Sequence, residues 1–229
     1  MTIQLRQICL VAHKLEPVID DLRSILGINS CYVDPGVGKF GLENNLMPIG
    51  RNFLEVVAPI QENTAGGRYL DRRSGDGGYM VITQIDTLPE HQRLRQCALD
   101  NGVRVAHEHT SDQWRLTQLH PGDLKAAFLE LEYDAEENFD GRWNPVGGNG
   151  WEPQVKQDVT QDFVGVELQG DEPEALADLW GRCTDLPVEH DAAGNPTIAF
   201  NNVVLRFTAV VDGRGPGLGG LDIAVANRE

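Results

Sequence analysis

Two matching stretches, Phe53-Leu54-Glu55-Val56 and Phe128-Leu129-Glu130-Leu131, indicate that the chain is built from repeated units. Each stretch is an apolar strand pattern that carries one glutamate, and each ends a longer unit of sequence. The first unit opens with a strand pattern at 5–12, followed by an amphipathic helix with Pro17 near its start and Gly27 just past its end. Because a repeated supersecondary unit sets the architecture of a chain, the sequence predicts βαβββ modules.

The second unit follows the same order. A strand pattern at 79–83 precedes a predicted helix at 88–99, and further strands are predicted at 103–107, 114–120 and 126–133. The two Phe-Leu-Glu stretches therefore occupy the same place in two modules.

A third copy is predicted from a strand pattern at 163–166, a helix that Pro173 opens, and a closing strand at 203–207. A last strand pattern at 220–226 matches the first strand of a fourth copy that is not completed. An incomplete sheet leaves an edge that proteins normally cover, so we expect a homodimer.

The predicted organisation has three parts: paired βαβββ modules at 1–135, a linker at 136–160, and a third module with the first strand of a fourth at 161–229. The linker is polar and rich in Gly and Pro. It also carries Trp143 and Trp151, which can pack over the mouth of a cavity.

The composition indicates a globular protein and excludes several classes of function. The 229 residues include 35 Asp and Glu against 19 Lys and Arg, and the net charge of −16 disfavours nucleic acid and anionic membranes as partners. No apolar run approaches the roughly 20 residues of a membrane span, and the first residues lack an apolar leader. The four cysteines are far apart, which disfavours a disulfide framework or a zinc site. We expect a cytoplasmic protein that binds a small molecule.

The repeated units resemble the vicinal oxygen chelate superfamily and, within it, the glyoxalase-like proteins. The resemblance covers 1–135 well and the remainder more weakly. It is carried by the stretches 7–27, 34–44, 53–56 and Leu119-His120-Pro121-Gly122-Asp123, the last of which is similar to a stretch in methylmalonyl-CoA epimerases. The resemblance implies an α+β fold in which paired βαβββ modules form curved half-barrel sheets around a cavity.

The resemblance also implies a metal site built from the first and last strands of each module. The matching positions are Gln7, Glu55, Met80 and Glu130. Two carboxylates and an amide oxygen suit a divalent ion such as Mn, Fe, Zn, Ni or Mg. Met80 departs from the pattern because a thioether binds hard cations poorly, so we predict Gln7, Glu55 and Glu130 as metal ligands and Met80 as a substrate contact.

The two glutamates have different sequence contexts. Glu55 is flanked by apolar residues, where an unpaired carboxylate would cost several kcal/mol, so it either serves the site or faces solvent on a half-exposed strand. Strand alternation puts Glu130 and Glu132 on one face together with Phe128. We predict that Glu130 is the catalytic carboxylate that faces the cavity.

The histidines provide candidates for a base or a further ligand. Gln118 and His120 lie two residues apart on one predicted strand, and His107 and His109 do so on the preceding strand. Any imidazole that points inward beside Glu130 can supply the metal ligand that the Met80 position lacks, or act as a general base. We predict His120 as catalytic and Gln118 as a substrate contact, while a turn-anchoring role for His120 beside a proline stays open.

Two basic positions are candidates for binding an anionic group. Lys39 lies in the Gly-rich stretch 36–41, which lacks the spacing of a phosphate-binding loop. Arg68 begins the cluster 68–73, the only concentrated positive patch of the first two modules. We predict that Lys39 and Arg68 contact the substrate, since Arg binds a carboxylate, a phosphate or a coenzyme A tail bidentately, although a solvated face is the simpler explanation of the cluster.

Two functions follow from these residues. The first is a metal-assisted lyase, isomerase or dioxygenase, in which the metal polarises a small oxygenated metabolite and a carboxylate or imidazole moves the proton. The second is a metal-free protein that binds or sequesters a small molecule, which Met80, Phe163 and Arg206 at ligand positions favour.

Overall fold

The structure, a computed structural model, describes residues 3–226 and contains the expected modules. The first module comprises β1 (Ile3–Val11), α1 (Leu15–Leu26), β2 (Leu42–Ile49) and β3 (Asn52–Pro59). The second follows α2 (Ala65–Arg73) and comprises β4 (Gly77–Ile85), α3 (Leu88–Asp100), β5 (Val105–Thr110), β6 (Trp114–Leu119), α4 (Pro121–Leu124) and β7 (Phe128–Asp134).

The third module comprises β8 (Thr160–Gly170), α5 (Pro173–Thr184), β9 (Glu189–His190), β10 (Pro196–Ala199) and β11 (Val204–Ala209), and β12 (Gly217–Val225) follows it. Three short 3₁₀ turns lie at Pro35–Phe40, Asn144–Val146 and Glu152–Gln154. Within residues 3–226 no helix has the length and hydrophobicity to cross a membrane.

The strands form two curved, mixed sheets that do not close into barrels, so the fold is α+β. The seven-stranded sheet has the order β2-β3-β1-β4-β7-β6-β5, and the five-stranded sheet has the order β12-β8-β11-β10-β9. In each module the first strand is parallel to the last. β12 pairs antiparallel with β8 as β4 pairs with β1, so β12 takes the place of the first strand of a fourth module.

Strand alternation divides the seven-stranded sheet into two faces. On the convex face, Ile8, Leu54, Val81 and Leu129 are fully or almost fully buried in a core that also includes the helices. The same core continues into the third module, where the Trp180 indole donates to the Leu124 carbonyl at 3.1 Å. The concave face has its own apolar cluster, which the sequence between β7 and β8 helps to form.

The two sheets meet where β4 approaches β12. A Cβ on Gly78 would lie 2.5 Å from Leu218 Cβ and 2.7 Å from the Leu218 carbonyl oxygen, so only glycine fits this contact. The absence of a side chain at one strand position therefore lets the third module pack against the first two.

We expect Gly78→Ala to reduce the free energy of unfolding by about 1–3 kcal/mol, because the methyl group pushes β12 away from β4. The exposed Gly38 is the matched control, since a Cβ there would meet no atom within 4 Å. Urea denaturation measures both variants. Equal free energies of unfolding for Gly78→Ala and Gly38→Ala would show that β12 can move away from β4 without loss of stability.

Candidate active site on the concave face

The strand register brings candidate site residues from four strands, with Ile82 of β4 between them, into one row. Gln7 on β1 lies opposite Ile82 on β4, which lies opposite Glu130 on β7. Glu130 in turn lies opposite Gln118 on β6, and Gln118 opposite His107 on β5. The side chains of such directly paired residues share a face, so the row crosses the concave surface.

A second row runs beside the first. Cys9 on β1 lies opposite both Glu55 and Met80, and Met80 lies opposite Phe128. The four positions that the family resemblance singled out, Gln7, Glu55, Met80 and Glu130, therefore belong to neighbouring rows of one surface.

Glu55 is the centre of a buried hydrogen-bond network. Gln7 Nε2 donates to Glu55 Oε2 at 2.9 Å, and Asn44 Nδ2 donates to Glu55 Oε1 at 2.6 Å. The Trp143 indole donates to Gln7 Oε1 at 2.8 Å. Burial raises the pKa of Glu55, while the amide donors of Asn44 and Gln7 act in the opposite direction.

This network does not fit a resident divalent ion. Both Glu55 oxygens and the Gln7 amide oxygen already accept hydrogen bonds, so an ion at this place would have to compete with the N–H donors of Gln7, Asn44 and Trp143. Within residues 3–226 no group of three or more His, Cys, Asp or Glu side chains is arranged to hold a metal. The ligand set of Gln7, Glu55 and Glu130 stays a prediction.

The residues that fill the concave face come from the predicted linker. Trp143 and Trp151 are 1% and 2% exposed, and Trp151 packs edge-on against Phe53 with ring centroids 5.1 Å apart. The sequence predicted a connecting segment whose tryptophans can cover a cavity mouth. In the structure the two tryptophans pack into the apolar cluster of the concave face, while most other residues of the segment are exposed, and Trp143 completes the Glu55 network.

A buried arginine, which the sequence analysis missed, holds this segment in place. The register of β1 shifts between Leu5 and Gln7, a bulge that lets Arg6 share the concave face with Gln7. Arg6 Nη2 donates to the Gly141 carbonyl at 2.8 Å, and its guanidinium lies 5.4 Å from the Trp143 ring. Burial lowers the pKa of Arg6 to about 10. The position of Arg6 within an otherwise largely apolar strand is the sequence feature that could have identified it as a buried, functional side chain.

A carboxylate pair lies at the second-module end of the row. Glu130 and Glu132 are 3% and 0% exposed, and the Trp114 indole donates to Glu132 Oε2 at 2.7 Å. Burial, followed by the charge and hydrogen bond of Glu130, raises the pKa of Glu132 well above its ordinary value. Glu132 Oε1 is buried and has no hydrogen-bond partner. Burial therefore favours the protonated form of Glu132 beside Glu130, whereas the sequence analysis singled out Glu130 alone.

The two edges of the curved sheet meet above this pair. Phe40, just before β2, packs edge-on against His107 on β5, with ring centroids 5.3 Å apart. Lys39 Nζ lies 4.7 Å from the Phe40 ring. Burial and the positive charge of Lys39 lower the pKa of His107, while the negative charge of Glu130 acts in the opposite direction. The Nε2 atom of His107 is buried and has no hydrogen-bond partner. Lys39, Phe40 and His107 thus form the mouth of the concave site.

Two other predicted residues lie elsewhere. His120 Nδ1 accepts a hydrogen bond from the Gly122 amide at 3.1 Å and caps α4, which is the turn-anchoring role that the sequence left open. Arg68 is exposed on α2 and donates to the Asn63 carbonyl. His109 stacks against Trp114 with ring centroids 4.6 Å apart, at the outer end of β5.

Comparisons with known proteins identify the fold. No family model and no curated protein matches the chain. A variant of Streptomyces coelicolor methylmalonyl-CoA epimerase in complex with 2-nitronate-propionyl-CoA matches with a TM-score of 0.50 and 20% identity, over 59% of this chain and 96% of that one. The chain has the fold of the vicinal oxygen chelate superfamily.

Two hypothetical proteins extend this likeness. One from Bacillus halodurans C-125 matches with a TM-score of 0.50 and 15% identity, over 58% of this chain and 96% of that one. One from Staphylococcus aureus matches with a TM-score of 0.61 and 12% identity, over 94% of this chain and 88% of that one. The fold of the chain beyond the paired modules is therefore also found in a solved structure.

We expect Trp143→Phe to lower the free energy of unfolding by about 1–3 kcal/mol more than Trp151→Phe does, because it leaves the buried Gln7 oxygen without a donor. Trp151 Nε1 is buried without a partner, so its replacement by Phe removes an N–H that no hydrogen bond compensates. Both changes remove a similar apolar area. Urea denaturation of the pair measures the difference, and equal losses would mean that the Gln7 bond contributes nothing.

The raised pKa of Glu132 predicts a pH-dependent stability. The folded protein keeps a proton that the unfolded chain releases, so this stabilisation is complete below the unfolded pKa of about 4.3 and is lost as pH rises through the folded value. Glu132→Gln keeps an oxygen for the Trp114 indole and removes the titration. We expect the free energy of unfolding of the wild type to fall relative to this variant between about pH 5 and pH 8.

Glu43→Gln is the matched control for this measurement, because Glu43 lies exposed on β2. The free energy of unfolding of this control, measured by urea denaturation at about pH 5 and pH 8, should change with pH as that of the wild type does. A Glu132→Gln curve that also runs parallel to the wild type would show that Glu132 is ionised throughout.

Proposed function

We propose that this chain is an isomerase-type enzyme that moves a proton at the carbon next to a carbonyl group of a small oxygenated metabolite. Glu130 and Glu132 are the acid–base pair of this reaction. The observation that carries the proposal is the burial of two neighbouring glutamates on the concave face, where burial favours the protonated form of Glu132, beside an imidazole with an unpaired nitrogen.

The carboxylate pair suits proton transfer because one member can accept a proton while the other holds one. In the proposed step, Glu130 takes the proton from the carbon, and the C–H electron pair moves towards the carbonyl oxygen to give an enolate. The Glu132 carboxyl then returns a proton to the enolate to give the isomer, and the proton on Glu130 passes to Glu132, which restores the starting state of the pair. The Trp114 indole fixes Glu132 in place, so the pair keeps its geometry as the proton moves.

The neighbouring side chains suit binding of the substrate. Gln118 lies half-buried between Glu130 and His107 in the row, where its amide N–H can donate to the carbonyl oxygen. Lys39 at the mouth can pair with a carboxylate of the substrate. His107 Nε2 is available to a ligand because no protein group uses it. Together these groups favour a substrate with two oxygen functions.

Access to the pair requires the mouth to open. Glu130 is 3% exposed, and the contact between Phe40 and His107 covers it, whereas Phe40 itself is 41% exposed. Phe40 ends a 3₁₀ turn that lies on the surface, so its side chain can swing away without disturbing a strand. Closure of the mouth over a bound substrate would exclude water from the proton transfer.

The solved structures support an isomerase as the reaction class. The Streptomyces coelicolor relative is a methylmalonyl-CoA epimerase, and its bound molecule is a coenzyme A thioester. The proposal involves no metal step, because the oxygens of Gln7 and Glu55 already accept hydrogen bonds from the protein. The predicted cytoplasmic location and homodimer stay predictions.

The test is solvent deuterium incorporation, followed by NMR, with methylmalonyl-CoA and a panel of 2-oxo and 2-hydroxy acids. We expect the wild type to exchange the proton next to the carbonyl of at least one compound, and Glu130→Gln to slow this exchange by about 10²–10⁴-fold. Added chelator should leave the exchange rate unchanged.

Glu43→Gln, an exposed carboxylate on β2, is the control and should retain the wild-type rate. Equal rates in Glu130→Gln and the wild type would remove Glu130 from the mechanism. Loss of exchange on chelation would mean that a metal takes part.

A second candidate function is binding of a small molecule without turnover. The closed network of Gln7, Asn44, Glu55 and Trp143 favours it, because the first-module half of the concave face is built for rigidity. Stabilisation of the wild type against heat by a compound that undergoes no exchange would support this function over the first.

A further inference from the structure

We propose that a cavity between the second and third modules binds a small organic oxyanion, a phosphate or a carboxylate with an apolar body. The cavity has a volume of about 610 Å³ and lies between α2, the connection from α4 to β7, the start of α5 and the loop 214–216. None of its lining residues belongs to the concave row, so the proposal stands independently of the isomerase function.

Four cationic side chains line this cavity: Arg72, Arg73, Lys125 and Arg214. Within residues 3–226 no ion pair joins any of them to a carboxylate. The whole chain has only 19 Lys and Arg against 35 Asp and Glu, so unpaired cations around one cavity are unusual. Asp171 and Glu172 also line the cavity but are fewer than the cations. The cavity is therefore a positive site on an acidic protein.

Two of the arginines hold the cavity walls together. Arg73 is 5% exposed and donates from Nη1 to the carbonyls of Gly215 and Pro216. In the opposite direction, Arg214 Nη2 donates to the Gly75 carbonyl at 3.0 Å. These bonds neutralise no charge, because their acceptors are carbonyl groups. The walls are thus fixed in place while the positive potential remains.

The other two cations are free to bind a ligand. Arg72 is exposed and lies 5.9 Å from the Tyr69 ring, and Lys125 is exposed at the end of α4. The twelve-residue helix α5 also begins at this cavity, and its N-cap Glu172 makes no side-chain capping bond. The amides of its first turn therefore add to the attraction for an anion.

The remaining lining is apolar, which defines the other part of the ligand. Tyr69, Pro121, Ala126, Leu176 and Pro216 provide this surface. A bare inorganic ion would leave it uncovered. An anionic head with a short carbon body matches both parts of the cavity.

The experiment is isothermal titration calorimetry with phenyl phosphate and with benzoate, each an oxyanion on an apolar body, at constant ionic strength. We expect at least one probe to bind the wild type, and the double variant Arg72→Gln, Lys125→Asn to bind it roughly tenfold more weakly or worse. Asn suits position 125 because the backbone there has φ of 67°. Binding of phenyl phosphate alone would identify a phosphate ligand, and binding of benzoate alone a carboxylate.

Arg68→Gln is the matched control, because Arg68 lies on the same helix as Arg72 but outside the cavity. It should bind as the wild type does. Ala175→Glu provides a second variant that is expected to fold, since a carboxylate in the first turn of a helix is stabilising, and it should abolish binding by placing that charge in the cavity.

Three results would overturn the proposal: no binding of either probe to the wild type, unchanged binding in the double variant, or an equal loss in Arg68→Gln. The isomerase function is measured by deuterium exchange in the absence of these probes. Failure of one proposal is therefore visible without failure of the other.

Discussion

The burial of the Glu55 carboxylate is the constraint on which the concave face depends. Glu55 is 6% exposed, and removing an ionised carboxylate from water costs several kcal/mol unless hydrogen bonds replace the lost hydration. Gln7, Asn44 and, through Gln7, Trp143 supply those bonds from three separate parts of the chain. The first strand, the second strand and the segment between β7 and β8 are therefore fixed relative to one another around one side chain.

The same network reaches the mouth of the site. The side-chain Oδ1 of Asn44 accepts a hydrogen bond from the Asp34 backbone N–H at 2.9 Å, and the Asp34 side chain caps the 3₁₀ turn that ends at Phe40. Asn44 thus connects the buried Glu55 to the turn that carries Lys39 and Phe40. Because the start of the turn is anchored while its end is exposed, movement at the mouth can occur at Phe40 without loss of the buried network.

The sequence could predict the modules because their signals are periodic. Strand alternation around Glu55 and Glu130 and the helix boundaries at Pro17 and Gly27 are local, and the sheet register then follows from the repeat. The segment 136–160 has no such period, and distant contacts of Arg6 with Gly141 and Trp143 hold it against the sheet. The packing of its tryptophans on the concave face therefore could not be inferred from local pattern.

The candidate site was predictable in part for the same reason. Alternation correctly put Glu130 and Glu132 on one face, but it could not tell which carboxyl group burial keeps protonated, since that depends on how the rest of the chain packs around Glu132. The structure places His107, and not His120, in the row with Glu130. A proline after a strand ends the sheet and turns the histidine into a cap, whereas His107 lies within β5 opposite Gln118.

The distribution of charge separates the two proposed sites. The concave face includes Glu55 and Glu132, whose burial raises their pKa and favours the protonated carboxyl groups, so this buried region carries less negative charge than its composition suggests. The cavity between the modules instead gathers unpaired cations near the surface. An anionic molecule that approaches this acidic protein is repelled by most of its surface, and the proposed anion site is the place where that repulsion is reversed. Because none of the cavity residues belongs to the concave row, the two proposed sites occupy different parts of the molecule.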